Sequence, residues 1–395
     1  MSEEQHCTPD ELPSHLSDTA PGETFVLDAG NYSDVAITID GCGEPDRPIT
    51  IKCEAGSVIL TGRSSIRVAG AHLVLKGLTF DGCVLNESCI TFEGAEDCRV
   101  VDCLFTHSEG SKAAIRIMDG AHRNVVENCE FAHLEQRSVQ VVTGAGDSPT
   151  DNRIVGNCFR DIPPIPSGNG RETIQIGQNQ PQWGHLEPRT IIERNRFLRC
   201  DGEIEIISNK SSKNYYRHNL FMDCQGEVVM RGGSYCEVHG NRHVNCKGGI
   251  RLSGTHHTVT HNVIENCANG FRTLYGMTIE LGGLYQATAD CLVAHNTVIG
   301  TGKTGLTVGL NRMMDRDEKG IAKHPPTGNR FVNNVFDSDS GTHLVVVEAP
   351  DNEVTDNLFA GSADKGDVPE GNLVEGDGKG ELGADLGELG ETPCS

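Results

Sequence analysis

Aromatic side chains are scarce in this chain, 5% of its 395 residues with a single tryptophan, while 47 residues are glycine. That balance speaks against long helices packed through large rings and suits many short strands joined by tight turns, in a chain long enough to bury a large core. Positive charge is also short: 33 lysines and arginines face 56 aspartates and glutamates, a formal net charge of −23. A non-specific binder of nucleic acid or of anionic membranes needs a net basic face, so neither class fits, although a local basic pocket stays open. No apolar run approaches membrane-spanning length, and Met1-Ser2-Glu3-Glu4-Gln5-His6 has neither the basic start nor the apolar core of a signal peptide. The expectation is a soluble protein, cytoplasmic or with its leader removed.

The usual zinc spacings are missing as well, since none of the 16 cysteines forms a CxxC pair. Instead Cys200, Cys224, Cys246 and Cys267 each follow an asparagine by five residues, namely Asn195, Asn219, Asn241 and Asn262. Such regularity belongs to a repeat, and small buried thiols stacked in the interior are expected.

The repeat reads Arg194-Asn195-Arg196-Phe197, His218-Asn219-Leu220-Phe221, Gly240-Asn241-Arg242-His243 and His261-Asn262-Val263-Ile264. It returns at Asn296, Asn334 and Asn357, with weaker copies at Cys103, Cys129 and Asn157. From Asn195 to Asn262 the spacings are 24, 22 and 21 residues. That period holds about three short strands and their turns, too little for a propeller blade and without a leucine-rich pattern. The fold expected is all-β, a single-stranded parallel β-helix, with the asparagines at a turn that tolerates the left-handed region and bonded from coil to coil.

Thr8-Pro9-Asp10-Glu11-Leu12 carries a capping signature, so residues 1–20 are expected to cap the N-terminal edge with a short helix. Residues 21–363 form the coil. Residues 364–395, with nine acidic residues, two lysines and eight glycines, are expected to be disordered. Longer intervals between asparagines mark loops, which hold Trp183, Arg272, Tyr275, Tyr285 and Asn311-Arg312-Met313-Met314 and which tend to wall a groove. Trp183 could stack on a sugar or pack its own loop against the coil.

The chemistry concentrates at Gly202-Glu203-Ile204-Glu205-Ile206-Ile207-Ser208-Asn209-Lys210-Ser211 and, one repeat later, at Gly226-Glu227-Val228-Val229-Met230-Arg231. In an extended strand Glu203 and Glu205 point to one face, with Ile204 and Ile206 opposed. Two such carboxylates repel unless a cation sits between them, and hard oxygens suit calcium better than zinc. With Lys210 and Arg231 nearby, this is a candidate site for an acidic substrate.

These residues resemble a known family. Pro21-Gly22-Glu23-Thr24-Phe25-Val26-Leu27, Pro48-Ile49-Thr50-Ile51, Val58-Ile59-Leu60-Thr61-Gly62, Gly168-Asn169-Gly170-Arg171-Glu172-Thr173-Ile174-Gln175-Ile176-Gly177 and the stretch from Gly202 to Ser212 look like polysaccharide lyase family 6, the alginate lyases and chondroitinase B. The resemblance covers residues 10 to 360. It implies a right-handed β-helix and β-elimination on a uronate-containing polysaccharide, with family members usually secreted or periplasmic. It also implies Lys210 as base, Arg231 as acid, and Ca²⁺ held by Glu203 and Glu205 and completed by Asn169 and Glu172. Arg251 resembles the substrate-binding arginine, and Gln175, Trp183, His257 and Tyr275 are further candidate substrate contacts. The chain departs from the family where alginate lyases usually have a histidine, here Gly232, and an arginine, here Gln175.

β-Elimination removes the C5 proton of a uronate, and a cation on the neighbouring carboxylate stabilises the charge that develops. Lys210 must be neutral to act, while Arg231 serves the leaving O4 as an acid or as an electrostatic clamp. Alginate is expected ahead of dermatan sulfate, which a chondroitinase B-like lyase would cut. Two rival readings are a carbohydrate-binding β-helix that has lost catalysis and a uronate epimerase.

Overall fold

The computed structural model describes residues 4–16, 19–178, 184–276, 286–310, 324–349 and 351–374. They group into two compact units, one of residues up to 177 with 188–203, the other of 178, 184–187 and residues from 204 on. Trp183, Tyr285 and the stretch from Asn311 to Met314 lie outside the described residues.

Each unit is a parallel β-helix whose coil holds three short strands. In the first unit Leu73–Lys76, Thr79–Leu85 and Ile90–Phe92 make one coil, and each pairs in parallel with its counterpart in the next, Arg99–Val101, Leu104–Thr106 and Ile115–Ile117. In the second, Tyr215–Arg217, Leu220–Met222 and Glu227–Met230 stand in the same relation to Glu237–His239, Arg242–Val244 and Ile250–Leu252. Short strands buried on one side need few large side chains, which is why the low aromatic content is no obstacle.

The turn between the first and second strand of a coil explains the asparagine repeat. The left-handed residue is the one before the asparagine: Arg194, His218, His261, His295, Asn333 and Asp356 all have φ between 52° and 57°, and Gly240 has 64°. This corrects the expectation that the asparagine itself takes that conformation. The asparagine instead spends its amide on the neighbouring coils. Asn241 Oδ1 accepts the backbone N–H of Asn219 at 3.0 Å and its Nδ2 at 2.9 Å, while Asn241 Nδ2 donates to Tyr216 O at 2.8 Å and to Asn262 Oδ1 at 2.9 Å. All four groups are out of water, where a missing partner is costly. Asn241→Ala is expected to cost about 2–4 kcal/mol, because it strands the Asn219 N–H and the Tyr216 carbonyl; a urea titration of the variant measures it.

Two residues past Asn157, Asn195, Asn219, Asn241, Asn334 and Asn357 the core holds a ring, whereas Ile264 and Val298 stand past Asn262 and Asn296. Phe80, Phe105, Phe131, Phe159 and Phe197 stack in the first unit with centroids 4.8 to 5.2 Å apart. In the second unit Phe221 stacks on His243 at 4.5 Å. His243 has no exposed surface, neither ring nitrogen has a hydrogen-bond partner, and burial pushes its pKa down to about 4. The unfolded chain takes up this proton near pH 6.5, so stability falls as pH drops from 6.5 towards 4, by about 3 kcal/mol for this residue. His243→Phe is expected to remove that loss and to raise the melting temperature at pH 5 more than at pH 8.

At the N-terminus the capping box forms: Thr8 Oγ1 accepts the Glu11 N–H, and Glu11 Oε2 accepts the Thr8 N–H at 2.9 Å. The helix it starts, Leu12–Leu16, is preceded by a strand, Glu4–Cys7, paired with Thr24–Leu27. At the other end the boundary at residue 363 needs correcting. Asp364–Gly366 pairs with Thr342–Val346, Leu373–Val374 pairs with Leu358–Ala360, and Asn372 Oδ1 accepts the N–H of Asn357 as a last rung. Backbone pairing and an amide rung need no apolar side chains, so a polar composition did not prevent them. Residues 375–395 lie outside the described residues.

Among the described residues the free cysteines are buried apart from Cys42. Cys158, in contrast, is disulfide-bonded, against the expectation of thiols throughout. It follows Asn157 directly and stands on the outer side of its strand, whereas Phe159 faces the core.

Candidate active site

The acidic stretch is less regular than an alternating strand. Glu203 lies in a bend and only Glu205 enters the strand Glu205–Asn209. Glu205 pairs with Glu227 but Ile207 with Val228, so Ile206 is an extra residue, a bulge. All five residues of the strand are buried. Ser208 donates to Glu205 Oε2 at 2.6 Å, a contact that strict alternation does not foresee.

Lys210 and Arg231 each come directly after a strand of the same sheet. Asn209 pairs with Met230, and the Arg231 N–H donates to Asn209 O at 2.7 Å, so the two cationic residues leave neighbouring strands at equivalent places. Lys210 is 8% exposed. Arg231 Nη1 lies 3.6 Å from Glu205 Oε2. Behind Lys210, Asn209 ties the turn down: its Nδ2 donates to Ser211 O and Gly232 O, both at 2.9 Å, and its Oδ1 accepts from Tyr216 Oη at 2.8 Å. Sequence reasoning treated Asn209 only as part of the stretch.

Glu172 and Glu203 in the first unit and Glu205 in the second are all buried. Arg137 Nε donates to Glu172 Oε2 at 2.6 Å, and Glu203 Oε2 accepts the Gly170 N–H at 3.2 Å. Carboxylates held out of water call for a positive partner, and their hard oxygens fit a calcium-like cation. Asn169, expected beside them, is exposed, with its carbonyl accepting from Ser167 Oγ.

The remaining candidates find other partners. Arg251 has no exposed surface and forms ion pairs with Glu205 at 2.8 Å and Glu227 at 3.0 Å. It offers a substrate carboxylate no open face. His257 is equally buried and acts as a ladder rung: Nδ1 accepts the Cys236 N–H at 3.1 Å and Nε2 lies 3.1 Å from Ser253 O. Burial pushes its pKa down to about 4, which keeps the ring neutral and the rung intact. Gln175 donates to Gly177 O at 2.8 Å, and the Tyr275 hydroxyl to the carbonyls of Val347 and Glu348. At Gly232, Gln286 Oε1 lies 3.4 Å from where a Cβ would stand and accepts the N–H of Gly233 at 2.9 Å.

The sequence profile of the chondroitinase B family matches residues 7–375. Among solved structures, a mannuronic acid specific polysaccharide lyase of family 6 from human gut microbiota is 26% identical, with a TM-score of 0.81 over 95% of this chain and 92% of its own. The family 6 alginate lyase AlyGC is 24% identical with a TM-score of 0.84 over 94% of this chain; only 53% of AlyGC is covered, so the chain spans about half its length. Pedsa3628, a family 6 polysaccharide lyase from Pseudopedobacter saltans, is 22% identical with a TM-score of 0.77 over 98% of this chain and 97% of its own. No curated protein matches the sequence significantly. With a parallel β-helix throughout and a family profile that runs nearly from end to end, the chain belongs to the chondroitinase B family, polysaccharide lyase family 6.

Proposed function

We propose that this protein is a lyase that cuts a uronate-containing polysaccharide, alginate ahead of dermatan sulfate, by β-elimination. The observation that carries the reading is the equivalent placement of Lys210 and Arg231 at the ends of paired strands, with Glu205 beside Arg231. The 26% identical relative, described as mannuronic acid specific, favours alginate.

Lys210 takes the C5 proton of the uronate. The electrons of that C–H bond form the C4–C5 double bond, the C4–O4 bond breaks, and the leaving oxygen is met by Arg231 as acid or as charge clamp. Lys210 must be uncharged to start. Glu172, Glu203 and Glu205 would hold a Ca²⁺ ion, which when bound neutralises the uronate carboxylate. Arg251 enters here as an internal partner of Glu205, and not as a substrate contact.

The test is incubation with alginate and with dermatan sulfate, with and without a chelator, following ultraviolet absorbance and sugar composition. A lyase makes unsaturated ends that absorb; an epimerase changes composition without cleavage; a binder does neither. Absence of absorbing product from every uronan would overturn the proposal.

A further inference from the structure

The coil after the one that carries Lys210 holds a buried acid that the elimination does not use. Glu227 opens the strand Glu227–Met230, is 1% exposed, and lies directly opposite Glu205 in the register. Like charges in that relation repel. Relief comes from the following strand, Ile250–Leu252, whose Arg251 reaches back over the sheet. Its Nη2 donates to Oε1 of Glu205 at 2.8 Å, and its Nη1 lies 3.0 Å from Oε1 of Glu227, an ion pair without hydrogen-bond alignment. Arg272, from the strand after that, closes on Oε2 of Glu227. One guanidinium thus stands between two acids, bonded to Glu205 and charge-paired with Glu227. Since Arg251 occupies Oε1 of Glu205, Oε2 is the oxygen left to Ser208 and Arg231.

We propose that Glu227 and Arg251 are positioning residues for the site: Glu227 holds Arg251 between the two acids, and Arg251 in turn fixes the rotation of the Glu205 carboxylate. This rests on the lyase reading above. Without the charge of Glu227, Arg251 has one acid in place of two and closes on both oxygens of Glu205, drawing Oε2 away from Arg231 and weakening Glu205 as a cation ligand. Partners behind a ligand commonly matter in this way.

The test uses the full chain and three readouts: Ca²⁺ titrated calorimetrically without substrate, ultraviolet-detected cleavage of alginate, and the melting temperature. Glu227→Gln keeps the shape and removes the charge. It is expected to weaken the Ca²⁺ Kd by about 10- to 100-fold and to lower turnover in the folded protein. A purely structural role would lower the melting temperature and leave the Kd of the folded protein unchanged, and that result overturns the inference. The charge-balanced Glu227→Gln/Arg251→Gln double variant should lose no more Ca²⁺ affinity than Arg251→Gln alone, because Glu227 acts through Arg251; additive losses also overturn it. Should Glu227→Gln not fold, the double variant decides by its Kd alone, an unchanged value counting against the proposal. A wild type that neither binds Ca²⁺ nor cleaves would instead overturn the lyase reading.

Discussion

Lys210→Ala is expected to lower turnover by roughly 10³- to 10⁴-fold while substrate still binds, which a saturation curve of ultraviolet-detected cleavage would record as a fall in kcat at a nearly constant KM. Lys210 supplies the proton acceptor, whereas the carboxylates and Arg231 stay in place. The backbone at the position is held independently of the side chain, by the bonds from Asn209 to Ser211 and Gly232. The loss is therefore one of chemistry and not of folding, and the circular dichroism of the variant should match the wild type. Cleavage at the wild-type rate would remove Lys210 from the mechanism.

The second large effect is expected from Glu203→Gln/Glu205→Gln. Two of the three proposed ligands become neutral amides, so Ca²⁺ binding should vanish from the calorimetric titration, uronate binding should weaken, and elimination should become undetectable. Stability should also fall, because Arg251 loses one of its two acids. It keeps Glu227, 3.0 Å from Nη1, so the cost stays below the roughly 3–5 kcal/mol of a buried charge left wholly unpaired. A double variant that binds Ca²⁺ as the wild type does would place the cation elsewhere.

Much of this was legible in the sequence, and what was not has physical reasons. One asparagine per coil announces the solenoid, because an amide is the side chain that can accept from one coil and donate to the next at a fixed turn. His257 escaped that pattern: an imidazole Nδ1 takes the N–H of Cys236 as an amide oxygen would, yet nothing in the spacing distinguishes such a rung from a histidine in a cleft. Lys210 and Arg231 stand out in the sequence as cations close to the paired glutamates, and their roles as base and acid come from the family resemblance. The substrate role of Arg251 comes from the family resemblance, which gives a place on the strand and not a direction; the side chain turns back to Glu205 and Glu227. The bulge at Ile206 likewise leaves no mark in a run of alternating glutamate and isoleucine. The strands at Asp364–Gly366 and Leu373–Val374 were missed because composition reports what side chains can bury, and those strands are held by main chain.

The ladder bonds are indifferent to how much chain lies between them. Asn241 and Asn262, 21 residues apart, are joined at 2.9 Å; Asn262 and Asn296, 34 apart, at 3.0 Å; Asn296 and Asn334, 38 apart, at 2.9 Å. A rung thus meters the chain in whole coils, each advancing by one strand spacing of about 4.8 Å. Loops can therefore be exchanged, lengthened or removed between rungs while the floor of the sheet keeps its register. The strand Asn269–Leu274, between Asn262 and Asn296, is the part of that interval that cannot be exchanged without reaching the acids, because its Arg272 closes on Glu227.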